Sequence, residues 1–299
     1  DNIKLNPTAI IITHYNLNQK NYSEIHKLCE NNNIDLIEDS AISFSGKVEN
    51  ININSLSDYS LYSFSTFKLI NFFYGGALLI KNKNINDIKK LMQNWNVLKF
   101  QDYKSQIYRT ILYSILTNKY VYKTFTINYL KLKDRFKTED LNIIENKLKK
   151  EKNFIDNSYF SLLPMYGVSE LYRKIGNYSH ERTNRQKIAY QYYNSLKDIT
   201  ASASFDIENL IGSSDNFSYM IMCKDREHKR NLKKKLLIKN LNVGSQMYPN
   251  CSLYDKYSSF NGRSSNLNNL TDKILILPTH SKLTNEYVQN LIYEVKKNY

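Results

Sequence analysis

Lys68 is the single cation in YSFSTFKLINFFYGGALLI, which runs from Tyr62 to Ile80. An amine at the end of an apolar strand, flanked by Phe67, Leu69 and Ile70, faces desolvation. Desolvation disfavours the ammonium form and makes the amine a nucleophile, the state a lysine needs to form an imine. Asp39 closes the apolar segment IDLIED, and a carboxylate at the carboxyl end of a strand can hold a protonated ring nitrogen. Pyridoxal phosphate needs such a partner, because its protonated ring withdraws electrons from a substrate carbanion. Ser63 offers a hydroxyl for the phosphate, and Gly75-Gly76 allows a sharp turn and a close backbone approach. Blander readings of the same residues stay open at this point. Most lysines are solvated, Asp39 also suits a strand-end residue capping a helix, and Ser63 suits an ordinary surface hydroxyl.

The elements that must position these groups can be read from periodicity. TAIIITHY is a β-branched run suited to a buried parallel strand. NYSEIHKLCENNN follows as a helix with Tyr22, Ile25, Leu28 and Cys29 on one face, ended by Asn31-Asn32-Asn33. IDLIED and DYSLYSF are the next strands, so the segment reads as a βαβ unit. Parallel sheets of this kind take ligands at the carboxyl ends of their strands, where Asp39 and Lys68 fall. From Asn86 to about Lys150 the pattern turns helical and mixes aromatic with basic residues. SELYRKIGNYSHERTNRQKIAYQYYNSL reads as a long helix with a break near Gly176. Beyond it come a strand (FSYMIMCK), a basic helix (DREHKRNLKKKLLIKN), a strand or loop (NVGSQMYP) and a strand (KILILPTH). A last helix is capped by Thr284, with Val288, Leu291, Ile292 and Val295 as its apolar stripe.

Composition narrows the function classes. A net charge of +14 raises nucleic acid or an anionic membrane as partners. However, a chain crowded with Asn, Lys, Ile, Tyr and Phe, with only 8 Gly and 4 Pro, is what an A/T-rich genome writes for ordinary proteins. Its tyrosines are spread through all regions and no groove-reading element is visible, so a nucleic-acid role is not expected. The basic, aromatic stretch from about Lys99 to Lys137 leaves peripheral membrane contact open beside a helical insertion packed on its own domain. Three dispersed cysteines and five histidines without ligand spacing argue for a reducing cytoplasm and against a structural metal.

Taken in order, these segments resemble the DegT/DnrJ/EryC1/StrS family of sugar-nucleotide aminotransferases. The resemblance rests on AIIITHYNLNQKNYSEIHKLCENNNIDLIEDSAISFSG, on DYSLYSFSTFKLINFFYGGALLIKN with its Ser-x-x-x-x-Lys and Gly-Gly-Ala, on YGVSEL, on NVGSQMYP and on LILPTHSKLTNEYV. It spans nearly the whole chain apart from about 97–150. It implies an α/β architecture of aminotransferase fold type I: a mainly parallel sheet in a large domain and a smaller C-terminal α/β domain. Residues 1–175 would belong to the large domain, with a helical insertion at about 97–150, and residues 176–299 to the linking helix and small domain. Lys68 would be the lysine that holds pyridoxal 5'-phosphate as an imine, Asp39 the partner of the ring nitrogen and Ser63 a phosphate ligand. The implied reaction moves an amino group, typically from glutamate, to a nucleotide-linked keto-sugar, in a cytoplasmic homodimer that completes each site with its partner chain. Products of such reactions enter surface polysaccharides and related glycans.

The chain departs from the family's pattern at several positions. Ile42 stands where a Gln or His is common, Tyr74 precedes the glycine pair, Met165 and Gly167 replace an Asn and an Arg, and Met247 replaces a His. Losing a hydrogen bond to a charged cofactor group at Ile42 or Met165 would cost about 1.5–3 kcal/mol apiece. The chain begins at Asp1, and relatives carry roughly one hundred further residues ahead of AIII, a half-domain's worth. That region normally supplies a second phosphate loop and the residue stacked on the ring. A non-catalytic scaffold and a sugar dehydratase are therefore the alternatives; dehydratase relatives replace the lysine with histidine, so Lys68 speaks against the second.

Overall fold

The computed structural model describes residues 6–14, 21–66, 68–81, 85–136, 160–199, 207–245 and 272–299. The chain divides into two compact units. One comprises Asp1–Leu112, Ile155–Gln186 and Ile207–Phe217; the other comprises Tyr113–Phe154, Lys187–Asp206 and Ser218–Tyr299.

The first unit is built on a four-stranded sheet. It contains β1 (Ala9–Thr13), α1 (Tyr22–Asn31), β2 (Asp35–Asp39), a two-residue ribbon β3 (Lys47–Val48) and β4 (Ile51–Asn52), then β5 (Tyr59–Ser63) and β6 (Gly76–Ile80). The strand order is β1-β2-β5-β6, with β1, β2 and β5 parallel and β6 antiparallel to β5. The β-branched run Ala9–Thr13 thus forms the strand its composition predicts, and α1 is the crossover. Tyr22 and Cys29 are the buried residues of α1, and Ile25 packs against the same cluster. Leu28, expected on that face, is exposed because it lies at its edge. Ile12, Ile34, Leu36, Val48 and Ile53 complete the core on this side of the sheet. Asn32 and Asn33 end the helix, and Asn33 takes a left-handed φ of 52°.

The unit continues through α2 (Ile85–Met92), β7 (Asn96–Val97) and α3 (Phe100–Leu116), whose last turn lies beyond the boundary at Leu112. β7 pairs in parallel with β8 (Ser161–Leu162). α6 (Met165–Gly176) stops at the expected break, and α7 (Tyr178–Leu196) starts after Asn177; α4 (Lys119–Val121) and α5 (Ile127–Phe136), separated by a π turn, belong to the second unit. The short α8 (Ile207–Ser213) returns to the first.

The second unit holds an antiparallel three-stranded sheet, ordered β10-β11-β9, from β9 (Ser218–Met222), β10 (Gly244–Ser245) and β11 (Ile274–Pro278). Its helices are α9 (Arg226–Ile238) and α10 (Asn285–Asn298). Thr284 caps α10 as its sequence predicts, its Oγ1 accepting from the Tyr287 N–H at 3.2 Å. Val288, Leu291, Ile292 and Val295 are all buried. Of the expected helical stretch to Lys150, residues 137–150 lie outside the described residues, as does Met247.

Candidate cofactor site

Side chains alternate across a strand, so Glu38 and Asp39 at the end of β2 project to opposite faces. Leu36 and Glu38 are buried on the α1 side, whereas Asp39 is half-buried on the other. Asp39 Oδ1 accepts the Ala41 N–H at 3.0 Å, and its carbonyl accepts the His14 N–H at 2.9 Å. Asp39 is in register with Leu61 on β5. Ser63 lies two residues beyond Leu61, so the period of two sets Ser63 on the face that carries Asp39. Ser63 closes β5 opposite Gly76 of β6 and is half-buried.

Lys68 is not at the end of a strand, contrary to the expectation: β5 ends five residues before it. β5 stops at Ser63, and the described residues between it and β6 form a loop closed on itself. The Phe64 N–H donates to the Gly75 carbonyl at 2.9 Å, and the Phe72 N–H to the Phe64 carbonyl at 2.7 Å. Inside the loop the Lys68 N–H donates to the Ser65 carbonyl at 3.0 Å. These contacts satisfy backbone groups that a continuing strand would have paired with β6. Phe64, Ile70 and Phe72 bury themselves against Leu171 and Tyr178, leaving Lys68 half-buried between apolar neighbours. Burial lowers the Lys68 ammonium below the usual lysine range, and the Asp39 carboxylate, near enough to act on it, opposes part of that shift. Asp39 and Lys68 are therefore within electrostatic reach of each other, and Ser63 shares the face of Asp39.

The glycine pair has the geometry its sequence suggests. Gly75 takes φ +97°, and a Cβ there would lie 2.7 Å from the Leu163 side chain; one on Gly76 would lie 2.5 Å from the Tyr62 carbonyl oxygen. Gly167, where the family has an Arg, also has a reason. A Cβ on it would meet the Phe72 ring at 2.5 Å, so the loop phenylalanine occupies the space beside α6. Ile42 is buried, Tyr74 is half-buried and Met165 is 79% exposed.

Two networks escaped the sequence reading. Glu38 Oε2 lies 2.5 Å from His14 Nε2 and accepts the Asn54 N–H at 2.8 Å, while Oε1 accepts the Tyr22 hydroxyl at 2.7 Å. Burial pushes the Glu38 carboxyl up, but these hydrogen bonds outweigh it and hold the group below the usual carboxylate range. The second network centres on Asp215, which accepts both the backbone N–H (2.8 Å) and the hydroxyl (3.0 Å) of Ser45 and lies 3.6 Å from Arg182. It anchors the segment that follows Asp39. The adjacent Glu-Asp pair was the only local signal for the first, since period two requires one of the two to point inward. Nothing local marks Asp215.

The DegT/DnrJ/EryC1/StrS aminotransferase family profile matches residues 2–120 and 171–296. The chain belongs to this family. It is 30% identical over 91 residues to UDP-4-amino-4,6-dideoxy-N-acetyl-beta-L-altrosamine transaminase of Campylobacter jejuni, an overlap of 30% of this chain and 24% of that protein. Its fold matches Helicobacter pylori PseC, an aminotransferase involved in the biosynthesis of pseudoaminic acid, with a TM-score of 0.66 and 18% identity over 98% of this chain and 67% of that one. The PLP-form of Spr1654 from Streptococcus pneumoniae gives 0.58 and 14% over 97% of this chain and 68% of that one. The matched region is thus about a quarter of the curated relative and two thirds of these solved chains. The fold is that of the pyridoxal-phosphate-dependent aminotransferases of type I, as the family resemblance implied. The residues present fit that cofactor: a desolvated amine for its aldehyde carbon, a carboxylate within reach for its ring nitrogen and a hydroxyl on the same face for its phosphate.

Proposed function

We propose that this protein is a pyridoxal-phosphate-dependent aminotransferase that converts a nucleotide-linked keto-sugar to an amino-sugar for surface polysaccharide or a related glycan. The observation that carries the reading is the half-buried Lys68, in a loop whose apolar residues pack on Leu171 and Tyr178, with Asp39 and Ser63 on one face of the sheet from which that loop springs. Pyridoxal phosphate, when bound, supplies the electron sink that stabilises a carbanion at the carbon bearing the amino group. Lys68 would hold the cofactor, and its free amine would move a proton on and off that carbon as base and acid. Asp39 would keep positive charge on the ring nitrogen, and Ser63 would hold the phosphate. We assign glutamate as the amino donor, a homodimer as the working assembly and the cytoplasm as its location. Residues 1–175, with a helical insertion at about 97–150, are assigned to the cofactor-binding domain and 176–299 to the linking helix and small domain, although α4 and α5 cluster with the second compact unit and α8 with the first. The full-length protein should be yellow, and borohydride should fix the cofactor to Lys68. A colourless protein that takes up no pyridoxal phosphate refutes the assignment.

A contact with an anionic bilayer is a second reading, favoured by the exposed Tyr120, Phe125, Tyr129 and Leu132 interleaved with Lys123 and Lys131 in the second unit. Among the described residues no helix is long and apolar enough to cross a membrane. Sedimentation with vesicles containing anionic lipid tests surface contact, and failure to bind at low salt removes it.

A further inference from the structure

We infer that Lys174 is a positioning residue for Lys68, clamping the loop that carries it onto α6; the inference rests on the proposed role of Lys68. Gly167, Leu171 and Lys174 stand at i, i+4 and i+7 of α6 and share one face. All three meet the three residues that follow the Lys68–Leu69 pair. Gly167 receives the Phe72 ring, Leu171 packs with Ile70 and Phe72, and Lys174 Nζ donates to Asn71. The ammonium bonds the Asn71 carbonyl at 2.7 Å and its Oδ1 at 3.2 Å, with Glu170 at 3.6 Å as counter-charge. The other end of the Asn71 amide, Nδ2, reaches back to the Lys68 carbonyl at 3.5 Å. A single side chain thus fixes both the peptide and the amide of Asn71, and through the amide the backbone of Lys68.

The loop needs this restraint. Phe73, two residues beyond Asn71, has φ +71°, a left-handed conformation that a bulky side chain rarely adopts. Such strain persists only where surrounding contacts over-determine the backbone. Apolar packing at Phe72 supplies attraction without direction, whereas a charge-assisted bond to a carbonyl fixes orientation. Thr66 adds a tie on the α3 side, its Oγ1 lying 3.0 Å from Thr110 Oγ1. Without Lys174, residues 68–73 relax toward commoner backbone angles and the Lys68 amine moves toward water, losing part of its desolvation. The titratable side chains bordering the loop include Asp39 from β2, Tyr62 from β5, Glu170 and Lys174 from α6 and Tyr178 from α7.

The test is competitive amine labelling of the full-length, cofactor-free protein with acetic anhydride across pH, with the Lys68 peptide read by mass spectrometry. In the parent protein the midpoint for Lys68 should lie below the ordinary lysine value, since burial disfavours its charged form. Lys174→Met, which keeps the length and removes the charge, should raise it by about half a unit or more, roughly threefold in the protonation ratio. Lys174→Arg should restore it. Asn71→Ala keeps the backbone carbonyl and should give a smaller shift in the same direction; it serves if Lys174→Met does not fold, as judged by circular dichroism. An unchanged Lys68 midpoint in the folded variant, or failure of arginine to restore it, overturns the inference. Because the readout needs no pyridoxal phosphate, a parent protein that takes up no cofactor sinks the functional assignment and leaves this test standing. Cofactor uptake with an unmoved midpoint sinks only the clamp.

Discussion

Glu38 and Asp39 are consecutive acids on one strand with opposite surroundings. Glu38 is fully buried and accepts from, or closely contacts, His14, Tyr22 and Asn54. Asp39 is half-buried, takes one backbone hydrogen bond through its side chain and lies within electrostatic reach of the Lys68 amine. On that face Ile11 is 64% exposed, whereas Ile12 on the other is buried. One carboxylate has its acceptor sites satisfied within the fold and serves stability. The other keeps acceptor capacity in hand, which is what a group that must engage a ligand requires.

The contrast can be broken by substitution. Lys68→Ala should abolish borohydride-fixed cofactor altogether while leaving the thermal melt close to the parent. Asp39→Asn should still accept the cofactor, but its half-reaction with the amino donor, followed by stopped-flow absorbance, should slow on the order of a hundredfold or more. Either variant unfolding outright would erase the distinction between the two acids. Glu38→Gln should do the reverse, costing about 3 kcal/mol in a urea melt and leaving the parent's spectrum on whatever protein stays folded. Its pH dependence has a definite sign. The Glu38 carboxyl is held low in the fold, so its stabilisation is present above the unfolded carboxylate value of about 4.3 and is lost as pH falls through the lower folded value. The gap between parent and Glu38→Gln should therefore be full at neutral pH and close in acid. Gly167→Ala should cost about 1–3 kcal/mol by forcing the Phe72 ring aside. Ser63→Ala should act least, weakening cofactor binding by about 1 kcal/mol with no change in the melt.

Strong local patterns were legible without coordinates. The β-branched run of β1, the Asn31–Asn33 terminus of α1, the Thr284 cap and the apolar stripe of α10 each depend on short-range chemistry, and each was found. Asp39 and Ser63 were legible as candidates because strand ends and period two are local. The setting of Lys68 was not. The sequence places Lys68 at the end of the strand DYSLYSF, but β5 stops at Ser63 and the apolar Phe64, Ile70 and Phe72 are buried with Leu171 and Tyr178, about a hundred residues downstream. A one-dimensional pattern cannot distinguish an apolar strand from an apolar loop that packs on a distant helix. Gly167 was legible only as a departure from the family; its partner, Phe72, explains it.

β6 is the last strand of its sheet among the described residues, and four of its five residues are exposed. Leu78 and Leu79 alternate to its two sides, 43% and 52% exposed, so neither side is shielded. Its outer row of amide and carbonyl groups offers hydrogen bonds to any extended polypeptide laid alongside. No Pro or charged residue interrupts Gly76–Ile80 to discourage that pairing. The partner such a rim suits is an extended segment with its own free row of backbone donors and acceptors.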